Sequence, residues 1–350
     1  KSNLQINGGE PVRTKPFPSW PRPTEAMKKS LIHTLENERW GIGSAAVEQF
    51  ERKFADFHDS QFALAISTGT AALWVSLKAA GVKAGDEVIV PAYTFVGTAT
   101  AVLMANAVPV FADIDESTLN MDPALLDDLI TDKTKVVMPV HIAGNPAEIT
   151  AIKQICDRHG IAMIEDAAQG FGGSITDEQG NTKKSGSFGD IATTSFFPAK
   201  PLGGYGDGGA IFTNENDLFE KLKSIRVHGK GENKYDNIRI GLNGRLDTIQ
   251  AAILLHKLKV FPNELEKRKS VSREYSEKLR GEFITPFIPP GYSSAWAQYS
   301  ILADSNDHRN KCQQRLTDKG IPSAIYYPIP LHLQTAYDYL NYKSGDFTIS

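Results

Sequence analysis

The chain has 350 residues, 41% hydrophobic and 23% charged, with a formal net charge of −3. Those values fit an ordinary globular protein with chain enough for one large domain and a smaller one. They exclude a general nucleic-acid binder, because no basic excess exists to neutralise phosphates.

No apolar run reaches membrane-spanning length, and the opening KSNLQINGGE has no apolar h-region, so neither membrane insertion nor secretion is expected. Cys156 and Cys312 lie far apart in helical patterns and form no ligand motif. No metal site and a reducing, cytoplasmic setting are the expectation.

In chain order, Pro11 to Pro23 holds five prolines and reads as extended chain wrapped over a surface. Short apolar runs then alternate with amphipathic segments, which predicts an α/β architecture. Strands are expected at Phe62 to Ile66, Glu87 to Pro91, Val108 to Ile114, Lys135 to Val140, Ala162 to Glu165, Ile191 to Phe197 and Ala210 to Thr213. Helices are expected at Thr70 to Ala80, from the Asp122-Pro123 cap, and at Glu148 to His159, stopped by Gly160. The polar Asp177 to Ser185 segment reads as a surface excursion between two strands.

Beyond Asn214 the texture shifts to longer helices, Asp247 to Val260 and Asn263 to Leu279. A smaller α+β unit follows, with strands near Ala297 to Ala303 and Ser323 to Tyr327 around a helix Asp307 to Lys319.

The chemistry gathers at SFFPAKPLGGYGDGGA, residues 195 to 210. Lys200 stands between Pro198 and Pro201, which limit backbone freedom, and ahead of a glycine-rich loop. The loop lacks GxGxxG spacing and runs into a strand, AIFTN, which counts against a dinucleotide turn. Asp166 ends an apolar strand, where a carboxylate needs a cationic partner; a pyridinium would serve, and so would an arginine or a helix N-cap role. Lysine amine and buried carboxylate are the two groups that pyridoxal 5'-phosphate (PLP) requires.

Ser67-Thr68-Gly69-Thr70 joins a strand to a helix and offers an anion site, with Ser195 as a second hydroxyl; the same turn also reads as a simple cap. Phe95, leaving a strand in PAYTF, could lie over a heteroaromatic ring or fill a core.

Together STGTAAL, PAYTFVGTAT, VFADID, IEDAAQGFG, SFFPAKPLGGYGDGGA and NGRLDTIQAAIL resemble the DegT-type sugar aminotransferases, PLP enzymes of fold type I, in order from about Gly8 to His332. The resemblance implies a mostly parallel seven-stranded sheet in a large domain, residues 1–245 with an N-terminal arm over 1–25. Connecting helices and a small α+β domain would occupy 246–350. It implies a homodimer with active sites shared across the interface. The family continues past this point with a further segment and a closing helix, so an incomplete small domain at Ser350 is expected.

Position by position, the resemblance makes Lys200 the lysine that holds the PLP aldehyde as a Schiff base, and Asp166 the partner of the pyridine nitrogen. Gln169 would approach the ring hydroxyl and Phe95 would stack on the ring. Gly69, Thr70 and Ser195 would hold the phosphate, with Asn243 reaching it from the neighbouring subunit. Arg245 would meet a substrate carboxylate or phosphate. Tyr326, Tyr327 and His332, in IYYPIPLH, would lie near the substrate. Some relatives carry histidine in place of the lysine and dehydrate sugars; lysine here implies transamination.

The implied reaction moves an amino group from glutamate or glutamine to a keto sugar. Lys200 to Gly208, RLDTIQAAILLHKL and YYPIPL resemble enzymes of nucleotide-linked 3-keto sugars, uronates included. GGEPVRTKPFPSWP instead resembles relatives that aminate keto-inositols or make aminated aromatic precursors. The nucleotide sugar, UDP- or dTDP-linked and 3-keto or 4-keto, is preferred because its matching segments lie nearer the predicted site. A PLP-binding regulator and a nucleotide-binding oxidoreductase are the rival classes.

Overall fold

The computed structural model describes residues 20–233 and 235–350, so most of the proline-rich stretch and of the expected arm lies outside the described residues. Two capped helices come first. Thr24 accepts from Met27 N at the start of α1 (Glu25–Asn37), and Ser44 from Val47 N at the start of α2 (Ala45–His58). Then β1 (Phe62–Ile66), α3 (Gly69–Ala79), β2 (Glu87–Pro91), α4 (Gly97–Met104) and β3 (Val108–Ala112) alternate.

Asp122 caps a 3₁₀ turn, Pro123–Leu125, that runs into the single turn α5 (Leu126–Leu129). After β4 (Thr134–Val137), α6 (Ile149–His159) ends at left-handed Gly160 as its sequence predicts. Next come β5 (Ala162–Asp166), the hairpin β6 (Ser174–Thr176) and β7 (Thr182–Lys184), then β8 (Ile191–Ser195) and β9 (Gly209–Thr213). The helices α7 (Asn216–Arg226) and α8 (Thr248–Leu279), the short β10 (Tyr292–Ser293) and α9 (Asn306–Asp318) complete the order.

The main sheet has seven strands in the order β1-β9-β8-β5-β4-β2-β3. Only β9 runs against its neighbours, β1 and β8; the other pairs are parallel. The carboxyl ends of β1, β2, β5 and β8 therefore share one sheet edge, where α/β folds hold ligands.

Strand side chains alternate between two cores. Leu64, Ile66, Val88, Val90 and Ile164 pack on one face with residues of α3, α4 and α7, while Ala63, Ala65 and Phe212 pack on the other with α2 and α8. Ile89, Val137 and Met163 meet α6 on that second face. Each large apolar side chain buried this way stabilises the fold by about 1.5–3 kcal/mol. The fold is thus the expected α/β type, with helices on both faces of a mostly parallel sheet.

Three differences from the sequence expectation have physical causes. The two long helices are one, running through Pro262. Proline forfeits one hydrogen bond, but Leu258, Phe261 and Leu265 on both sides are buried against the same core and hold the helix together. Ala297 to Ala303 and Ser323 to Tyr327 are not strands. A strand needs a continuous partner backbone, and these segments show only an isolated bridge from Leu302 to Ile284 and a single bond from Gln298 N to Ala143 O at 3.3 Å. Lastly, β3, β4 and β8 are shorter than their apolar runs, because each chain leaves the ladder at the ligand-holding edge.

Candidate active site

The turn after β1 builds the first wall. Thr68 Oγ1 accepts from Ala71 N at 2.9 Å and caps α3, so the first N–H groups of that helix point outward, a ready anion site. Gly69 faces Ser195 at the end of β8 so closely that a Cβ at Gly69 would stand 2.8 Å from Ser195 Cβ. Thr70 is in the same place: a Cβ on Gly97 would lie 3.2 Å from Thr70 Oγ1 and 3.1 Å from the Phe95 ring. Phe95 is 53% exposed, unusual for a ring carried by a buried strand end.

The carboxylate wall comes from β5. Asp166 is only 5% exposed, and its Oδ2 accepts from Thr98 Oγ1 at 2.9 Å while Oδ1 accepts from Ala168 N at 3.1 Å. Among the described residues no cation pairs with it. Three residues on, Gln169 receives Ala143 N on Oε1 at 2.8 Å and donates from Nε2 to Tyr327 Oη at 3.1 Å.

Lys200 enters from the loop after β8. Its N–H closes a turn on Phe197 O at 2.8 Å, and Trp20 Nε1 holds Pro198 O at 3.0 Å. Gly203 is required here, since a Cβ would fall 2.3 Å from Pro198 O. The Lys200 amine is half-buried and finds no hydrogen-bond or salt-bridge partner among the described residues. Burial pulls its pKa below the ordinary lysine range, and the Asp166 carboxylate, near enough to act through space, opposes that pull.

These groups fit PLP. Between Gly69 and Ser195 there is a cradle that a methyl group would fill, at a helix N-terminus suited to a phosphate. Across from it stand a buried carboxylate with no cation and an amine with no partner, which are the two polar ends a pyridinium aldehyde would satisfy.

Beside Gln169 opens a cavity of about 290 Å³, lined by Tyr93, Tyr326, Tyr327, Phe287 and Trp296. Burial pushes the Tyr327 phenol up to about 12, despite the Gln169 hydrogen bond, so it remains a proton donor. Tyr93 donates to Tyr326 O and crosses the Tyr327 ring edge-on.

The structure thus brings Gly69, Thr70, Phe95, Ser195, Asp166, Gln169, Lys200, Tyr326 and Tyr327 to one edge of the sheet. Three expected site residues stand elsewhere. His332 is buried, with its ring 4.6 Å from that of Phe347, and does not line the cavity. Asn243 is exposed, bridged to Val227 through its backbone. Arg245 bridges Ile66 and lines a separate cleft of about 720 Å³ with Glu51 and Arg226. Sequence reasoning missed Thr98 and Tyr93. Both lie in or beside the quoted PAYTFVGTAT segment, whose polar residues at a strand-to-helix turn were the available signal.

Residues 22–350 match the family model described as the DegT/DnrJ/EryC1/StrS aminotransferase family. The chain is 45% identical, over 89% of its length and 84% of the relative's, to a UDP-2-acetamido-2-deoxy-3-oxo-D-glucuronate aminotransferase of Pseudomonas aeruginosa. It is 34% identical to an L-glutamine:2-deoxy-scyllo-inosose aminotransferase of Streptomyces kanamyceticus, covering 96% of this chain and 83% of that one. Among solved structures, NtdA from Bacillus subtilis with bound cofactor PMP superposes with a TM-score of 0.82 at 31% identity, covering 92% of this chain and 74% of that one.

Proposed function

The chain belongs to the DegT/DnrJ/EryC1/StrS aminotransferase family, PLP-dependent enzymes acting on sugars, and on that premise we propose that it aminates a nucleotide-linked keto sugar. The acceptor is a UDP- or dTDP-linked 3-keto or 4-keto sugar, with a UDP-linked 3-keto uronate first, and the donor is glutamate or glutamine. Identity of 45% to an aminotransferase of that substrate supports this choice. The observation that carries the reaction type is the partnerless Lys200 amine within electrostatic reach of buried Asp166.

When bound, PLP supplies an aldehyde for an amine and a ring that accepts electrons from the adjoining carbon. Lys200 is the residue that would hold that aldehyde. Its lowered pKa favours the neutral amine, so Nζ can take the α-proton of the amino donor and return a proton to the sugar carbon that gains nitrogen. The donor leaves as a keto acid and the keto sugar as an amine, so no outside oxidant is needed.

Asp166, whose Oδ2 accepts from Thr98 Oγ1, would face the ring nitrogen and hold a proton there. Gly69, Thr70 and Ser195 would hold the phosphate, Phe95 would cover the ring, and Gln169 would meet its hydroxyl edge. Tyr326 and Tyr327 border the sugar. Asn243 and Arg245 flank Gly244, whose carbonyl accepts from Ser67 N at 2.8 Å, but Asn243 is exposed and Arg245 lines the separate cleft, so both are read as serving a second subunit in a homodimer. The division at residue 245 into a large and a small domain belongs to the same reading. No helix of the described residues is long and apolar enough to cross a membrane. A cytoplasmic setting belongs to the same reading, on two cysteines that lie far apart in the sequence.

A keto-inositol acceptor is the second reading, favoured by the 34% identity that extends over 96% of the chain. PLP-loaded protein should be given UDP- and dTDP-linked 3- and 4-keto sugars, a uronate, and a keto-cyclitol, each with glutamate or glutamine, and the amine product weighed by mass spectrometry. The highest kcat/KM on a nucleotide-linked 3-keto sugar is expected; turnover of the cyclitol alone would replace the first reading with the second.

A further inference from the structure

His141 and Glu165 are wholly buried at the edge of the site, and neither takes part in the chemistry above. Glu165 precedes Asp166 in β5, so its side chain lies on the opposite face of the sheet. Its carboxylate receives four donors. Gly186 N at 2.7 Å and His141 Nε2 at 2.9 Å meet Oε2; Phe188 N at 2.7 Å and Gly189 N at 2.6 Å meet Oε1.

Burial pushes this carboxyl up, but the His141 hydrogen bond and the backbone N–H groups outweigh it and hold the group below the usual carboxylate range. Ala147 N donates to His141 Nδ1 at 3.0 Å, which leaves the ring proton on Nε2 for Glu165. The tautomer is thus set by the backbone.

These bonds tie together the three segments that carry the site. His141 N donates to Asp166 O at 3.1 Å and Asp166 N to Pro139 O at 2.9 Å, while Ala143 N holds Gln169 Oε1. The turn after Gln169 rests on the imidazole: a Cβ at Gly170 would stand 2.5 Å from His141 Cβ and 2.9 Å from its ring. Glu165, in turn, gathers the 186–189 turn that feeds β8, and β8 leads to Ser195 and Lys200.

We propose that His141 and Glu165 form a positioning pair for the cofactor site. They fix the Asp166 carboxylate, the Gln169 amide and the entry to β8 without touching the ligand. Support of this kind sets ligand geometry in other buried sites. The proposal rests on the reading of Asp166 as the partner of the ring nitrogen.

The test uses full-length H141F, H141Q and D166N proteins, with two readouts: the PLP dissociation constant of the apoprotein, and the pH midpoint of the visible band after loading. H141F should weaken PLP about tenfold and move the midpoint, since a buried carboxylate loses a donor. H141Q, whose amide nitrogen reaches the Nε2 position, should recover most of both.

An H141F protein with a lower melting temperature but unchanged affinity and midpoint, beside a D166N that moves both, overturns the pair and leaves the site reading intact. A D166N that moves neither removes the site reading, and the proposal with it. Should H141F not fold, H141N and H141Q are compared. Only glutamine reaches Glu165, so equal values for the two overturn the proposal.

Discussion

Thr98 donates from Oγ1 to Asp166 Oδ2 at 2.9 Å, tying the first turn of α4 to the end of β5. The bond points the carboxylate and occupies one of its two oxygens. D166N should lower kcat by at least about a hundredfold, because the ring nitrogen loses the charge that keeps it protonated. T98V keeps the shape and removes one donor, so a loss of about tenfold is expected. Steady-state rates on the best acceptor decide it; a T98V enzyme as active as the parent would show the bond to be idle.

Lys200 and Asp166 also make a prediction that needs no turnover. Burial lowers the amine's pKa and the Asp166 charge raises it. In apoprotein at pH 8, Lys200 should therefore react with an amine-directed label faster than exposed Lys133, and PLP should protect it. Removing the opposing charge in D166N should move the pH midpoint of labelling lower still. A midpoint that rises in D166N contradicts the electrostatic picture.

Gly69 is the position where a single methyl group has a defined collision, 2.8 Å from Ser195 Cβ. Real Cβ atoms do not approach so closely, so G69A must push α3 and β8 apart at the phosphate cradle. PLP affinity of G69A should fall about tenfold or more, with secondary structure retained by circular dichroism. Unchanged affinity would mean that the phosphate lies elsewhere.

Tyr327 receives Gln169 Nε2 at 3.1 Å and keeps its own proton, with its phenol pushed up to about 12. That proton is free to point into the cavity beside Gln169. Y327F should raise KM for the keto sugar by about three- to tenfold, the worth of one hydrogen bond, while PLP affinity changes little. Across pH 7 to 10 the Y327F and parent profiles should run parallel, because the phenol does not ionise there. Equal KM values would remove Tyr327 from the substrate wall.

Much of this architecture is legible in local sequence. Aliphatic runs such as Glu87–Pro91 end at turn residues, and their period places Val88 and Val90 on one face with Ile89 on the other. Lys200 draws notice because prolines flank it, and Ser67 to Thr70 because it joins a strand to a helix. The Thr98–Asp166 bond was not legible, because it spans 68 residues and exists only once β2 and β5 stand in one sheet. His141 and Glu165 are joined across 24 residues in the same way. Pro262 misleads for the opposite reason: the local rule is sound, but core packing on both sides outweighs one lost hydrogen bond.

His58 gives the clearest dependence of stability on pH. It is fully buried at the end of α2, with its ring stacked 4.0 Å from that of Phe212, and neither ring nitrogen has a well-formed partner in the described structure. Burial lowers its pKa to about 4, against the raising influence of the Gly186 backbone, Glu165 and Asp59; Lys184 adds to the lowering. Because the folded value lies below the unfolded value of about 6.5, the unfolded chain binds the extra proton between those limits. Stability is therefore intact above pH 6.5 and declines as pH falls toward 4, by on the order of 3 kcal/mol from this group. H58F keeps an aromatic ring in the stack and removes the titration. Urea unfolding at pH 7 and pH 4.5 should show a smaller acid loss in H58F than in the parent, by on the order of 2–3 kcal/mol. Equal losses in the two proteins would place the proton of His58 in water rather than in the core.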